Sequence, residues 1–310
     1  MNISVIIPIY NGAEDLPDLL TCLQEQTYPA SQVEYILVNN NSRDRTGELL
    51  ATAVDKFAQK GLVLLPLNET EVQGSYAARN AGIRAAKYDI FAFTDADCRP
   101  CPQWLELLVK PFENPEIGLV AGEIQALPST NWLERYSDRK ETLSQKHTLA
   151  NSFCPYGQTA NLAIRKQAFE QVGLFRPYLT TGGDADICWR ILRETDWKLE
   201  FMETAFIRHR HRSTLSELRS QWRRYGRSNR YLHELHGVEL MPEQNLNKTL
   251  YRLSRWILKE IPLNFVKLLA QKADFVDIMW TPLDLITYQA RSEGQKTAKL
   301  PEEAKEITPF

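Results

Sequence analysis

Two aspartates separated by one residue, Asp95 and Asp97, directly follow the apolar run IFAFT. Carboxylates at the end of a strand, on a turn, can both reach one hard cation. Mg²⁺ and Mn²⁺ prefer oxygen ligands and complete their shells with water and phosphate oxygens. A cation held there would neutralise a departing diphosphate. Alone, however, an Asp-x-Asp spacing is a weak signal, because two acids on a surface turn, or an acid paired with the nearby Arg99, are common.

Apolar runs alternate with helical patterns upstream of this triplet. Strands read as continuous apolar runs rather than alternating ones, which predicts an α/β fold with a mostly parallel sheet covered by helices on both faces. The predicted strands are Ile3–Ile9, Tyr35–Val38, Leu62–Leu67 and Ile90–Thr94, and the helices span residues 13–26, 45–58 and 75–86. Ligands of such sheets bind at the carboxyl ends of the strands.

The second half of the chain is more mixed. Strands are predicted over 119–124 and 159–164. Helices are predicted over 184–194, over 214–235, and over 248–290 with interruptions at Pro262 and Pro282. The polar tail after Arg291 is expected to be mobile.

Composition and charge limit the class of protein. The 310 residues are 43% hydrophobic and 25% charged, as in ordinary globular chains. Residues 1–204 carry 19 Lys and Arg against 27 Asp and Glu, and residues 205–310 carry 18 against 12. The acidic part could host a cation and the basic part an anionic group or membrane surface, although both could be plain solvated surface. A net charge of -2 and the lack of a reading motif argue against nucleic acid.

The five scattered cysteines do not form a disulfide framework, which favours a reducing intracellular compartment. Cys98 and Cys101 make one C-x-x-C, compatible with a redox motif or half a zinc site, but no second such pair follows. We expect neither a signal peptide nor a membrane-spanning helix, because no suitable apolar run occurs. The expected location is cytoplasmic, with peripheral contact at the inner face of the membrane as an option.

Five motifs occur in a fixed order: PIYN, VNNNSRDRT, GSYAARNAGI, FTDAD and GGDADICWR. Together they resemble the family 2 glycosyltransferases, over about residues 1–230. The resemblance implies a GT-A, Rossmann-like fold and inverting transfer of a sugar from a nucleotide-diphosphate sugar to an acceptor hydroxyl. UDP is the expected nucleotide, and polysaccharide, glycolipid or cell-envelope glycans are the expected products. A catalytically inactive sugar-nucleotide-binding relative is the alternative.

The resemblance also assigns the donor site. The residues implied to hold the nucleotide sugar are Pro8, Tyr10, Asn11, Asn40, Ser42, Arg79, Asn80, Asp95 and Ala96. Tyr10 offers a ring for stacking, and an amide can pair with a pyrimidine edge. The family often has Asp-Asp where this chain has Asn39 and Asn40, so the base is less defined than the cation. A plain turn at Asn39–Ser42, and a packing helix around Arg79, are the structural alternatives.

The metal and acceptor sides follow from the same resemblance. Asp95 is implied towards the ribose and metal, and Asp97 as the direct ligand of Mg²⁺ or Mn²⁺. His209 completes that site, with His211 as the alternative. Asp184 is the implied general base, with Asp186 in reserve, because inverting transfer requires removal of the acceptor hydroxyl proton. Gly183 stands where the family often has Glu, and either aspartate could instead cap a helix.

The remaining motifs bear on the number of sugars transferred and on the organisation of the C-terminal part. SQWRRYGRS (220–228) faintly resembles the Q-x-x-R-W signature of processive synthases but lacks the final Trp, so transfer of one sugar to a carbohydrate or lipid-linked acceptor is favoured. The expected division is a catalytic domain over 1–235, split near residue 100 into donor and acceptor halves, a helical extension over 236–292, and a flexible tail over 293–310. The apolar helix faces of the extension could dock on the catalytic domain, dimerise or lie in a membrane interface. A nucleotidyltransferase is disfavoured, because PIYNGAEDL is not a Gly-rich basic loop.

Overall fold

The computed structural model describes residues 1–243 and 245–310, and within them eight strands form one mixed sheet. The strands are β1 Ile3–Ile9, β2 Val33–Asn39, β3 Val63–Asn68, β4 Ile90–Phe93, β5 Cys98–Pro100, β6 Ile117–Ala126, β7 Leu162–Arg165 and β8 Lys198–His209. The helices are α1 Leu16–Gln24, α2 Thr46–Gln59, α3 Ser75–Ala85, α4 Trp104–Val109, α5 Trp132–Arg139, α6 Lys146–Leu149, α7 Lys166–Val172, α8 Gly183–Glu194, α9 Leu215–His236, α10 Leu246–Arg255, α11 Ile261–Leu269 and α12 Phe275–Thr297.

Strands β3, β2, β1 and β4 lie side by side and parallel, as predicted. Every residue of β1 is buried, because helices cover both faces of this half of the sheet. The register places Ile9 opposite Asn39, and Asn39 opposite Asn68. The polar segments that follow these strands therefore meet at one edge of the sheet.

The other half of the sheet is antiparallel, so the expectation of a mostly parallel sheet holds only for the first four strands in sequence. β7 pairs antiparallel with both β4 and β6, and β5 pairs antiparallel with β8. Asn161, which is fully buried, ties this half together: its amide donates to the carbonyls of Glu123 (2.9 Å) and Ala205 (2.7 Å) and accepts from the indole of Trp104 (2.7 Å). A single side chain thus joins backbone from two strands to a helix.

The chain divides into two compact units. Unit 1 contains residues 1–125, 143–210 and 301–310, and unit 2 contains 126–142 and 211–300. This division differs from the boundary expected at residue 235, since α5 and all of α9 belong to unit 2. Sequence periodicity identifies a helix but not the neighbours against which it packs.

The C-terminal tail is ordered, contrary to expectation. Residues 293–297 complete α12, and residues 301–310 pack on unit 1. Ala304 is fully buried, the Leu174 N–H donates to the Thr308 carbonyl (2.8 Å), and the Arg176 guanidinium donates to the Lys305 carbonyl. The polar composition of the tail suggested mobility, but hydrogen bonds to its backbone carbonyls hold it in place.

Unit 2 is built around α9 and α12. A Cβ on Gly226 would lie 1.8 Å from the Arg291 carbonyl oxygen, and one on Gly294 would lie 1.9 Å from that of Arg223, so both glycines permit close backbone approach. Among the residues that the structure describes, no helix combines the length and apolar content needed to cross a membrane.

Two prolines of unit 2, Pro262 and Pro282, behave differently from the interruptions predicted. Pro262 lies at the start of α11, directly after the π-helical turn Trp256–Glu260, and the helical backbone continues through it. Pro282 lies inside α12 without ending it. Proline at this position removes the intrahelical donor of the Ile278 carbonyl, and the Trp256 indole N–H donates to that carbonyl instead (2.7 Å).

Candidate active site

Asp95 follows β4 and is held by an arginine from α3. The Arg79 Nη2 donates to Asp95 Oδ1 at 2.5 Å, and the Arg79 side chain is only 3% exposed. Burial raises the pKa of Asp95, Arg79 opposes that rise, and the neighbouring Asp97 adds to it. The Arg79 Nε is buried without a hydrogen-bond partner in the described part of the chain. Arg79 thus keeps one buried donor unsatisfied while its Nη2 holds Asp95.

Asp97 meets His209 across the β5–β8 pair. The register places Cys98 opposite His209, which brings Asp97 Oδ2 to 3.2 Å from His209 Nε2. The other ring nitrogen, Nδ1, lies 2.7 Å from the Arg210 carbonyl, and a hydrogen bond there directs Nε2 towards Asp97. Burial lowers the pKa of His209, but the Asp97 and Asp95 carboxylates outweigh this and raise it above 6.5.

The ligand set differs in part from the prediction. Among described residues, the group that could hold a metal ion is Asp97, Cys98 and His209, whose ligand atoms lie within 4.8 Å of one another. Asp95 lies outside that group and pairs with Arg79 instead. The alternative His211 belongs to unit 2, where its Nε2 lies 3.8 Å from Asp138 Oδ1.

Cys98 was not predicted as a metal ligand, since its sequence signal was only the spacing to Cys101. Both cysteines are free thiols. Burial raises the pKa of the Cys98 thiol well above 9.0, and the adjacent Asp97 carboxylate raises it further. A protonated thiol is a poor ligand for a hard cation. The carboxylate and imidazole are the effective donors, and they fit a divalent cation of the Mg²⁺ or Mn²⁺ type.

Arg99 pairs with Asp15, the N-cap residue of α1, and with Asp18, and its Nη1 donates to the Ala96 carbonyl of the triplet at 3.4 Å. Its Nη2 lies 2.9 Å from Asp15 Oδ1 and 3.2 Å from Asp18 Oδ2. Arg210 also pairs with Asp15, at 3.2 Å. These ion pairs hold Arg99 and Arg210 beside the start of α1.

The two aspartates of α8 have different surroundings. Asp184, in the first turn, is partly exposed and accepts a hydrogen bond from the Thr159 hydroxyl at 2.8 Å. Asp186 is fully buried and paired with Arg176 (3.1 Å) and Arg190 (3.1 Å). The predicted alternative, in which Asp184 caps the helix, does not apply. The N-cap residue of α8 is Gly182, and no side-chain hydrogen bond caps the helix. Asp186, the alternative base, is held in the core by these two ion pairs.

Gly183 stands where the family often has a larger residue before the aspartate, and the Tyr76 ring lies next to it. A Cβ on Gly183 would lie 2.6 Å from Cζ of the Tyr76 ring, and the Gly183 N–H donates to the Tyr76 hydroxyl at 3.0 Å. Tyr76 also stacks on Phe175, with ring centroids 5.6 Å apart. The ring occupies the space that a glutamate side chain would need.

A pocket of about 560 Å³ opens beside the ends of β1 and β2. Its lining residues are Tyr10, Asn41, Ser42, Arg43 and Gln73. Tyr10 is 54% exposed. Ser42 Oγ accepts from the Asn11 N–H (2.9 Å), and Asn11 Oδ1 accepts from the Arg43 N–H (2.8 Å), so the two loops hold each other. Gln73 and Arg43 lie outside the predicted set.

Asn40 was expected to contact the nucleotide, but the structure uses it to shape the loop. It is 2% exposed. Its Nδ2 donates to the carbonyls of Glu69 (3.0 Å) and Val72 (2.9 Å), and its Oδ1 accepts from the Gly74 N–H (2.7 Å) and the Gln73 amide (3.1 Å). All the hydrogen-bonding capacity of the amide is used internally, which leaves none for a base edge.

Asn80 and Pro8 are also internal. Asn80 is 2% exposed and exchanges two hydrogen bonds with the backbone of Phe175, at 2.8 and 3.1 Å. Pro8 is buried within β1. Ala96, the middle residue of the triplet, lies close to Gly12. A Cβ added to Gly12 would be 3.6 Å from the Ala96 methyl. The predicted donor site thus contains residues that can face a ligand and residues that support them.

Asp95 and Asp97 follow β4 at the carboxyl ends of the parallel strands. The chain matches Glycosyl transferase family 2 over residues 4–173 and Glycosyl transferase family group 2 over residues 90–288. It therefore belongs to glycosyl transferase family 2.

Curated relatives share parts of the chain. It is similar to the glycosyltransferase AglE of Haloferax volcanii, with 38% identity over 192 residues, 59% of this chain and 58% of that protein. It is 29% identical to the pre-mycofactocin glycosyltransferase of Mycobacterium tuberculosis, over 73% of this chain and 46% of that protein. The matches thus span about half the length of these relatives.

Solved structures share the GT-A fold. The mannosyltransferase PcManGT from Pyrobaculum calidifontis, in complex with GDP-Man and Mn²⁺, has a TM-score of 0.64 at 16% identity, covering 96% of this chain and 87% of that one. The S. aureus TarS fragment 1-349 in complex with UDP has a TM-score of 0.54 at 12% identity, covering 96% and 91%. At these identities the likeness concerns the fold alone, and it confirms the predicted fold class.

Proposed function

We propose that this chain is a metal-dependent, inverting glycosyltransferase that moves one sugar from a UDP-sugar to an acceptor hydroxyl. The observation that carries the proposal is the meeting of three carboxylates in one unit. Asp95 pairs with Arg79, Asp97 with His209, and Asp184 with Thr159. Asp97 and Asp184 both raise the pKa of Asp95, so both carboxylates lie close enough to Asp95 to act on it. Such a concentration of negative charge favours a cation.

The donor side is assigned to the pocket around Tyr10 and to Arg79. Tyr10 stacks on the base, and Ser42 with Gln73 offers hydrogen-bonding groups to its edge or to the ribose. Asn40 and Asn80 act indirectly, by fixing the loop and the helix that carry these groups. Arg79 orients Asp95 through its Nη2.

Asp97 and His209 are the residues that would hold the cation, with Asp95 on the ribose side. The bound cation would neutralise the charge that develops on the leaving diphosphate. Either Mg²⁺ or Mn²⁺ suits the carboxylates, and the imidazole nitrogen favours the transition metal, Mn²⁺. His209 must be neutral at Nε2 to act as a ligand, and the Nδ1 contact with the Arg210 carbonyl supports that tautomer.

Asp184 is assigned as general base. It takes the proton of the acceptor hydroxyl as that oxygen attacks the anomeric carbon and the bond to the diphosphate breaks on the opposite face. Thr159 holds Oδ1 in place, so Oδ2 is the atom we assign to the proton. Thr159 is a positioning residue, and nothing in its sequence context marked it in advance.

The acceptor is proposed to be a carbohydrate or a lipid-linked saccharide used in glycan or cell-envelope synthesis. One partial relative, 30% identical over 50% of this chain, is an undecaprenyl-phosphate 4-deoxy-4-formamido-L-arabinose transferase of Pseudomonas aeruginosa. A cytoplasmic location with peripheral contact at the inner face of the membrane through the C-terminal helices accords with such an acceptor.

Donor hydrolysis and transfer in point variants test the proposal. Asp97→Ala should abolish Mn²⁺-dependent release of UDP from UDP-sugars, while circular dichroism shows an intact fold. Asp55→Ala, an exposed aspartate on α2, is the matched control and should be fully active. Metal-dependent turnover retained in Asp97→Ala would refute the assignment. Nucleotide binding by the wild type without hydrolysis or transfer, across many acceptors, would favour the inactive-relative alternative.

A further inference from the structure

The outward surface of unit 2 carries an unusual run of exposed apolar side chains. α10, the π-helical turn Trp256–Glu260 and α11 follow one another directly. We call their exposed apolar side chains, together with the first residue of α12, the apolar ridge; its members are Leu246, Leu250, Tyr251, Ile257, Leu258, Leu263, Phe265, Val266, Leu268, Leu269 and Phe275. Leu258 is 78% exposed and Leu269 is 72% exposed. Soluble surfaces rarely present so many contiguous apolar groups.

Several contacts between the same helical segment and α12 are polar. Arg252 pairs with Asp284 at 2.8 Å, Glu260 accepts from the Thr281 hydroxyl at 2.6 Å, and the Asn264 amide donates to the Asp277 carbonyl at 2.8 Å. A helix on a water-facing protein surface has the opposite arrangement, with its apolar stripe inward and its polar side outward. The ridge, in contrast, places large apolar side chains outward.

Lysines accompany the ridge. Residues 245–273 contain six basic side chains and one acidic side chain. Lys248, Lys259, Lys267 and Lys272 are exposed, and within the described residues none of them forms an ion pair. Apolar side chains flanked by unpaired cations are the composition of helices that lie in the interface of anionic membranes.

We propose that the apolar ridge inserts into the headgroup boundary of an anionic bilayer, with these four lysines against lipid phosphates. This identifies the surface and the lipid charge for the peripheral contact proposed above. It rests on contacts within unit 2 and needs neither donor nor cation. A second copy of the chain explains the surface less well, because two ridges face to face would bring their unpaired lysines together.

Vesicle flotation of the full chain tests the inference. Wild-type protein should float with vesicles of phosphatidylcholine mixed with phosphatidylserine and much less with phosphatidylcholine alone, and high salt should weaken the binding. The double variant Leu258→Ser/Leu269→Ser should bind on the order of 100-fold more weakly, because each leucine contributes about tenfold or more when buried. Its matched control, Val63→Ser/Tyr178→Ser, removes exposed apolar groups of unit 1 and should bind like wild type.

The charge contribution has its own pair of variants. Lys248→Gln/Lys267→Gln should weaken binding to anionic vesicles by about fivefold per lysine and leave binding to neutral vesicles unchanged. Lys60→Gln/Lys110→Gln, two exposed lysines of unit 1, is the control. Absence of flotation in the wild type, or equal flotation of ridge and control variants, would overturn the inference. So would a dimer in sedimentation that Leu258→Ser/Leu269→Ser dissolves.

The vesicle result is separable from the proposed catalysis. Asp97→Ala should float like wild type although it lacks transfer activity, since the ridge does not depend on the cation. Loss of flotation in a fully active ridge variant, assayed with a water-soluble acceptor, would support the inference on its own.

Discussion

Two aspartates in one turn of α8 should fail in opposite ways when each is changed to asparagine. Asp184 is partly exposed and held by a hydroxyl, whereas Asp186 is fully buried between Arg176 and Arg190. The same chemical change therefore removes a reactive group in one case and an ion-pair partner in the other. We expect Asp184→Asn to be stable and inactive, and Asp186→Asn to be unstable.

The cost at Asp186 follows from burial. Its carboxylate is 0% exposed, and the two guanidinium groups are 9% and 2% exposed. Removing one partner of a buried ion pair leaves an uncompensated charge and costs about 3–5 kcal/mol. For a domain of this size that is on the order of 10 °C in Tm. The exposed pair of Arg45 and Glu48 provides the control: Glu48→Gln should change stability by less than about 0.5 kcal/mol.

The effect at Asp184 is kinetic. An asparagine can still accept the hydrogen bond from Thr159, so the free energy of unfolding should change little. Without a base, the acceptor hydroxyl keeps its proton, and kcat should fall by about 10²–10⁴-fold while donor binding is unchanged. Thr159→Val should lower kcat by less, and Thr159→Ser should restore it.

Urea denaturation and steady-state transfer assays on the same preparations measure both effects. A stability loss below about 1 kcal/mol in Asp186→Asn would contradict the buried ion pair. Transfer activity retained in Asp184→Asn, or lost in a folded Asp186→Asn with unchanged donor binding, would show that the base is misassigned.

Three further outcomes follow from the structure. The raised pKa of His209 means that its imidazolium stabilises the cation-free fold below about pH 6.5 and that this stabilisation is lost as pH rises through the folded pKa. The affinity for Mn²⁺, measured by calorimetry, should rise with pH as the His209 imidazolium loses its proton. In His209→Gln, the Mn²⁺ affinity should be at least about tenfold lower and should not change with pH over the same range. Gly226→Ala places a methyl 1.8 Å from a carbonyl oxygen and should destabilise unit 2 by about 1–3 kcal/mol in thermal unfolding, unlike Gly47→Ala, where the nearest atom is 3.8 Å away. Removing residues 301–310 should lower Tm by several degrees because it deletes backbone hydrogen bonds and the buried Ala304; an unchanged Tm would show that the tail does not stabilise unit 1.

The sequence predicted the first four strands and the helices between them, because continuous apolar runs and helical spacing are local signals. It also predicted that Asp97 and His209 would meet, but only through a family resemblance, since the β5–β8 register that joins them spans more than one hundred residues of chain. The roles of Asn40 and Asn80 could not be predicted. An asparagine gives the same sequence signal whether its amide faces a ligand or, as here, a backbone carbonyl of a residue far away in the chain.

The C-terminal tail illustrates the same limit. Its polar composition suggested mobility, and its order depends on which backbone groups of unit 1 remain available for hydrogen bonds. Gly183 is the converse case: its departure from the family pattern could be seen in the sequence, whereas the reason, the Tyr76 ring in the space of the missing side chain, required the structure.

The central claim is that a cation held by Asp97 and His209 binds the donor diphosphate. The most direct measurement is the Tm of wild type and Asp97→Ala with Mn²⁺, with UDP and with both. Ligands that bind the folded state raise Tm by mass action. The wild type should show a larger rise with both ligands than the two separate rises together, and Asp97→Ala should lose that excess. The same cooperative rise in Asp97→Ala would contradict the account.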